Sequence, residues 1–193
     1  LQFYLNEKNS NKLIKLAIEQ IHKIEVIKLD ESIFSDFEKI TENNLYLFKK
    51  YFLEEFLEVT ELENLKEEID EFYSIIISEL KDNPKVINHY DFESRNLISL
   101  SEKKIGVIDF QDALIGPLGI DLASIFKDLY KKWTKEEILD WLDFYVENSQ
   151  IVKTASLKTA EVKRMVDIAS LQRQTRILGK LSQVFLELKR SAR

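Results

Sequence analysis

The 193-residue sequence contains no cysteine, one methionine, two prolines and four glycines. The missing cysteine excludes disulfides, thiolate metal sites and a cysteine nucleophile, and it fits a reducing, cytoplasmic compartment. The glycines fall at 106, 116, 119 and 179. No glycine-rich phosphate loop therefore lies before Gly106, because such a loop needs glycine where backbone meets phosphate. No apolar run approaches the roughly 18 residues of a membrane span, short runs such as Ile75-Ile76-Ile77 being all there is, and no signal-peptide pattern is present. Basic residues number 28 against 34 acidic, a net charge of −6, which argues against a nucleic-acid binder. What is present suffices for a core. Hydrophobic residues make up 45% of the chain and aromatics 11%, and the length suits a single domain.

The first two-fifths reads as helix. Leu13, Ile14, Ala17, Ile18, Ile21 and Ile24 recur at spacings of three and four, with Ser10 as the expected N-cap. Leu45, Phe48, Phe52, Phe56 and Val59 form a second stripe. Thr60-Glu61-Leu62-Glu63 reads as a capping box opening a third helix through Leu65, Ile69, Phe72 and Ile76. His22 sits beside the apolar pattern as a packing or surface histidine. Asn83-Pro84 marks a change of character. Val86-Ile87-Asn88 is a short strand, and Leu97–Leu100 with Ile105–Ile108 reads as a hairpin turning at 101–104. Residues 114–120, with two glycines and a proline, read as loop. Helices return at about 120–131, at 134–149 behind the capping box Thr134-Lys135-Glu136-Glu137, and at about 157–190. The fold class expected is mainly α with a small β-hairpin, in three parts: 1–82 helical, 83–121 carrying the unusual residues, and 122–193 helical. Trp133 and Trp141 are expected in the core. Lys158, Lys163, Arg164, Arg173, Arg176 and Lys180 give the last helix a basic side, mostly solvated, from which Arg173 or Arg176 would be the group to meet an anionic acceptor or phosphate.

The chemistry concentrates between 89 and 121. Asp91 and Asn96 bracket a short loop leading into one strand of the hairpin, and Asp109 follows the other strand. A hairpin brings its outer ends together, so Asn96 and Asp109 become neighbours. One charged and one neutral oxygen side by side suit a hard cation such as Mg²⁺, which fills the rest of its shell with water and phosphate. Asp91 would then hold a hydroxyl against a metal-bound phosphate. These are the parts phosphoryl transfer needs, since that chemistry depends on positioning and charge neutralisation. The spacing also matches the kinase catalytic loop, where the aspartate is the base and the asparagine a metal ligand. The plainer alternatives are a loop or capping role for Asp91 and turn chemistry at hairpin ends for Asn96 and Asp109.

Four phrases carry a family resemblance: His-Tyr-Asp-Phe-Glu-Ser-Arg-Asn-Leu from His89, Gly-Val-Ile-Asp-Phe-Gln-Asp-Ala from Gly106, Gly-Pro-Leu-Gly-Ile-Asp-Leu-Ala-Ser from Gly116, and Leu-Gln-Arg-Gln-Thr-Arg-Ile-Leu-Gly-Lys from Leu171. They resemble the aminoglycoside/choline phosphotransferase family, which shares the protein-kinase-like fold, and within it bacterial sugar kinases of the N-acetylmuramate/N-acetylglucosamine type. The resemblance implies ATP and Mg²⁺ as cofactors, Asp91 as catalytic base, and Asn96 and Asp109 as metal ligands. It implies that Asp121 braces the catalytic loop by accepting its backbone N–H groups, that His89 packs and hydrogen-bonds within the loop, and that Gly106 serves the hairpin turn. Arg95, Asp112 and Arg173 are expected to contact substrate.

There are departures. Tyr90 stands where the family has Arg or Gly, and Glu93 where the sugar kinases tend to have His. Asn43–Phe48 replaces a segment in which those kinases carry acidic residues, which bears on the acceptor. By the resemblance the chain is the C-terminal lobe of a two-lobe enzyme, without the nucleotide lobe and inactive as it stands. Its exposed inter-lobe face would be apolar and able to drive homodimerisation. The function expected is phosphorylation of a small-molecule hydroxyl, a sugar or amino sugar, with no nucleic-acid or membrane partner. The alternatives are choline, homoserine, aminoglycoside or protein hydroxyls as acceptor, or an inactive kinase-like binding module.

Overall fold

The computed structural model describes residues 1, 4–6, 8–28 and 36–191. The architecture is mainly α with two small antiparallel pairs of strands. Helix α1 (Ser10–Glu25) buries the whole stripe expected of it, from Leu13 to Ile24, against the strands Lys85–Asn88 and Lys104–Val107 and the helix Lys135–Asn148. Each such Ile or Leu contributes about 1.5–3 kcal/mol on leaving water. Its N-cap is Asn9, not Ser10, and Ser10 is instead a buried first-turn residue. His22 stacks on Tyr145 with ring centroids 4.8 Å apart. The Tyr145 hydroxyl donates to both oxygens of buried Glu25, at 2.8 and 3.0 Å, so His22 is a packing histidine with an acidic neighbour.

Helix α2 (Phe37–Leu47) is capped by Asp36, whose carboxylate accepts from the N–H groups of Glu38 and Lys39. It runs directly into a π-helix over Phe48–Phe56. The second stripe was expected to be regular α-helix reaching Val59. The i→i+5 winding cannot be read from a spacing of four, which both helix types accommodate. Phe48, Phe52 and Phe56 stack in succession at 5.3 and 6.1 Å. The capping box at Thr60 does not form. Residues 60–65 are a series of turns, and α3 (Lys66–Asp82) starts after Leu65 with no side-chain cap.

Strand β1 (Lys85–Asn88) pairs with β4 (Leu114–Pro117), Lys85 opposite Pro117 and Asn88 opposite Leu114. Residues 114–120 were expected to be loop. Pro117 is tolerated because it ends the strand in a two-stranded sheet, and Leu118 N–H closes the ladder onto the Pro84 carbonyl. Strands β2 (Leu97–Ser101) and β3 (Lys104–Val107) form the expected hairpin, turning at Glu102-Lys103 with a bulge between Ser99 and Ser101. Gly106 lies within β3 opposite Ile98 and is not the turn residue.

Helix α4 (Ile120–Phe126) is wholly buried and stops five residues short of its expected end. Buried Asp128 takes the chain out of helix, accepting from Tyr130 N–H and Ser94 N–H, both at 2.8 Å. Helix α5 (Lys135–Asn148) has the capping box at Thr134 and Glu137, and the short α6 (Gln150–Thr154) follows. Trp141 is buried edge-to-face on Trp133.

The long α7 (Thr159–Ser191) packs on α2, the π-helix, α3 and α4. It meets the α2/π junction at Gly179, where a Cβ would lie 2.7 Å from the Phe48 nitrogen and 2.9 Å from the Leu47 carbonyl carbon. Both are backbone atoms and cannot step aside. Gly179→Ala should therefore lower the unfolding free energy by about 1–3 kcal/mol through overpacking, seen as a lower urea midpoint, although alanine is the better helix former by roughly 1 kcal/mol. A raised midpoint would contradict this packing.

Candidate active site

The loop from His89 to Asn96 is held by backbone bonds and by buried charges from two helices. Asp121, in the first turn of α4, accepts from His89 N–H at 2.7 Å and Tyr90 N–H at 2.9 Å. This fixes Tyr90 in the left-handed region at φ 72°, a conformation that costs a non-glycine residue roughly 1–3 kcal/mol. Below the loop, Glu93 is buried and ion-paired to Arg173, whose guanidinium also reaches Ser124 Oγ and the Lys127 carbonyl. Burial pushes the Glu93 carboxyl up, against the pull of Arg173. Burial likewise lowers Arg173. Arg173 was expected to contact substrate. It is 1% exposed, its donors are spent inside the protein, and it acts as a strut between α7, α4 and the loop.

Asp91 lies between two guanidiniums. Arg95 Nη2 is 2.7 Å from Oδ2, and Arg176 Nη2 is 3.2 Å from Oδ1. Burial alone would raise its carboxyl, but the Arg95 hydrogen bond and the charges of Arg176, Arg95 and Arg173 together hold it below the ordinary range. It is therefore ionised at neutral pH. Arg95 also approaches Glu93, with Nε 3.0 Å from Oε2.

Asn96 donates its amide to the Asp91 carbonyl at 2.8 Å. That bond sets which way the amide faces and leaves its oxygen, the atom a cation would take, on the opposite side. The Asn96 carbonyl in turn accepts from Ile108 N–H at 3.0 Å, which places Asp109 next beyond that rung. Asp109 is itself left-handed, at φ 70°, and begins the short turn Phe110–Asp112. His89 ties the two segments together. Its Nε2 is 2.9 Å from the Ile108 carbonyl, so the bond runs across to the strand before Asp109 and not within its own loop. A carbonyl only accepts, so Nε2 carries the hydrogen. Nδ1 is buried without a partner, and burial lowers the pKa of His89, keeping the ring neutral.

Among the described residues no three His, Asp or Glu side chains cluster as a metal site. Two hard oxygens from Asn96 and Asp109 nonetheless fit Mg²⁺, which is commonly held by one or two protein groups plus substrate phosphates. Beside this pair the hairpin presents Ile98, Leu100, Ile108 and Phe110 to solvent.

A cavity of about 710 Å³ opens on the other side of Tyr90, between α2, residues 111–114 and α7. Asn43, Asn44, Asp112, Arg176 and Lys180 are among its walls. Asp112 thus borders the cavity, while Arg95 does not. Sequence reasoning passed over Asp128, and it marked Tyr90, Glu93 and the Asn43–Phe48 segment only as departures from the family pattern, without a role for Tyr90, Glu93 or Asn44 in holding the loop.

Asp121 carries a pH consequence. Burial pushes its carboxyl from an ordinary 3.8 up to about 7, against the pull of the two loop N–H donors. The folded state then binds the proton more tightly than the unfolded state. Asp121 contributes stability that is full below pH 3.8 and lost as pH rises through about 7. The difference in unfolding free energy between the wild type and Asp121→Asn should move against the wild type across that window. Urea titrations at several pH values check this, and a difference independent of pH would refute it.

The fold and this site define a kinase-like phosphotransferase lobe. The pattern of the phosphotransferase enzyme family matches residues 4–154, and the chain belongs to that family. It is similar to the N-acetylmuramate/N-acetylglucosamine kinase of Pseudomonas putida, 26% identical over 181 residues that cover 93% of this chain and 53% of that protein. The enzyme of the same description from Neisseria meningitidis is 35% identical over 106 residues, 53% of this chain and 30% of that protein. The chain thus spans about half the length, or less, of the curated relatives it matches. Among solved structures, a Plasmodium vivax ethanolamine kinase superposes with a TM-score of 0.64 at 18% identity, over 87% of this chain and 53% of that one. A gentamicin complex of the aminoglycoside phosphotransferase APH(2″)-IIa gives 0.57 at 19%, over 95% and 64%. At these identities the likeness is one of fold. No helix among the described residues is long and apolar enough to cross a membrane.

Proposed function

We propose that these residues form the catalytic and acceptor-binding half of an ATP-dependent kinase that phosphorylates a sugar or amino-sugar hydroxyl. The observation that carries this reading is the joining of Asp91, Asn96 and the Asp109 segment by direct bonds at the end of the hairpin, one residue from a cavity large enough for a sugar. Asp91 orients the acceptor hydroxyl and takes its proton as the bond to phosphorus forms. Its lowered pKa makes it a weak base, so orientation comes first and proton uptake late. Asn96 and Asp109 would hold magnesium, which supplies charge neutralisation on the nucleotide phosphates. The apolar face of Ile98, Leu100, Ile108 and Phe110 suits the nucleotide and its lobe, which we place outside these 193 residues.

The cavity walls favour a sugar over a polycation. Its lining holds the cations Lys39, Arg176 and Lys180, the anions Asp36 and Asp112, and the amides Asn43, Asn44 and Gln111. A polycationic acceptor needs an acidic surplus, whereas mixed charges and amides suit hydroxyls and an acetamido group. The test is coupled ADP release by the full-length protein with Mg²⁺ATP and a panel of N-acetylglucosamine, N-acetylmuramate, choline, ethanolamine and an aminoglycoside. Sugar-dependent release is expected. Turnover with only the cationic acceptors would overturn the acceptor, and no acceptor-dependent release at all would overturn the activity. Residues 1–193 alone should bind Mg²⁺ATP more weakly than micromolar by calorimetry.

A further inference from the structure

We propose that Arg176 is the positioning residue of Asp91, and that Tyr90 is an aromatic seat which holds the Arg176 guanidinium in place. The inference rests on Asp91 being the base. Tyr90 occupies a left-handed position that favours glycine, and the cost of that conformation is explained if the ring is used. The Arg176 guanidinium lies over the Tyr90 ring, 4.3 Å from its centroid. Asn44 donates to the Tyr90 hydroxyl at 3.1 Å, and Phe37 meets the ring edge-on at 6.4 Å. Three side chains from two helices, α2 and α7, thus fix the ring. Arg176 then reaches the Tyr90 carbonyl at 3.4 Å and Asp91 Oδ1 at 3.2 Å.

The two arginines on Asp91 are not equivalent. The Arg95 side chain is 47% exposed and that of Arg176 15%. Arg95 can leave Oδ2 into water at little cost. Arg176 would give up a cation–π contact and two acceptors at once. Oδ1 is therefore the anchored oxygen and Oδ2 the one released to an incoming hydroxyl, on the side where Asn96 Nδ2 approaches to 3.5 Å. Arg176 follows the strut Arg173 by three residues, so one face of α7 holds the loop from below and aims its carboxylate from above.

The experiment compares variants of the full-length protein with Mg²⁺ATP and whichever acceptor of the panel above supports turnover. If none does, the base assignment falls and this proposal with it. Arg176→Met should lower kcat about 10- to 100-fold with KM for ATP nearly unchanged, the loss expected for a misaimed base. Arg176→Lys should recover only part, because an ammonium keeps the charge without the planar stack. Tyr90→Phe, which keeps the ring, should retain more kcat than Tyr90→Leu. The Tyr90→Leu/Arg176→Met pair should be no slower than the worse single, since both act through one contact. Asp91→Asn separates the two claims. Turnover surviving that change refutes the base assignment, and the proposal falls with it. Turnover lost there but within about threefold of wild type in Arg176→Met refutes the positioning role alone. A rise in acceptor KM at constant kcat would make Arg176 an acceptor contact and also refute it. Where Arg176→Met fails to fold, Arg176→Lys and the two Tyr90 variants decide.

Discussion

Asp91→Ala in the full-length protein should lower kcat by about 10²–10⁴-fold, the range a positioned general base supplies, with the unfolding midpoint near that of wild type. In the proposed reading Asp91 meets the acceptor hydroxyl and not the nucleotide, so the loss should fall on kcat. The midpoint survives because the carboxylate's partners do not depend on it. Arg95 is half-exposed and regains water, and Arg176 keeps the Tyr90 ring and carbonyl. The loop itself is held elsewhere, by Asp121 on the His89 and Tyr90 N–H groups and by Asp128 on Ser94 N–H. Steady-state kinetics and thermal melts on the same preparation check both halves. Undiminished turnover would remove Asp91 from the mechanism.

Arg173→Met should have the largest effect on stability, about 3–5 kcal/mol, because it leaves the buried Glu93 charge without its main partner. At this chain length that lowers the melting temperature by about 10 °C. Three bonds go at once: the pair with Glu93, the bond to Ser124 Oγ and the bond to the Lys127 carbonyl. The partner experiment gives the reason its shape. Taking both charges out of water costs nearly what their attraction returns, so the double variant Glu93→Leu/Arg173→Met should regain much of the lost stability. Turnover should stay low in the double variant, since the loop would keep its packing and lose its anchor on α7. A double variant no more stable than Arg173→Met alone would show that the hydrogen bonds, not the paired charges, carry the strut.

Local structure was largely legible. Apolar spacing located α1 and its buried face, Thr134 and Glu137 marked the start of α5, and the hairpin around 97–107 followed from two short strands and a charged turn. These features depend on bonds spanning a few residues, so a short window contains both partners. The proposed metal and base positions share that property, because a hairpin returns the chain to within one rung of where it left. The capping box at Thr60 shows the limit even here, since turns at 60–65 compete for the same backbone groups.

Sequence alone determined the mainly helical class, the absence of thiol chemistry and the grouping of Asp91, Asn96 and Asp109. Tertiary structure decided the rest. Residues 114–117 are a strand only because β1 offers its ladder from across the 89–96 loop and the hairpin. Arg173 and Arg176 are alike in type and three positions apart, yet one is buried on Glu93 and the other borders the cavity over Tyr90. Their partners lie about eighty residues back in the chain. A side chain's role there is set by which carboxylate the fold brings within reach and how much water is left around it, and neither quantity is a property of any local stretch of sequence.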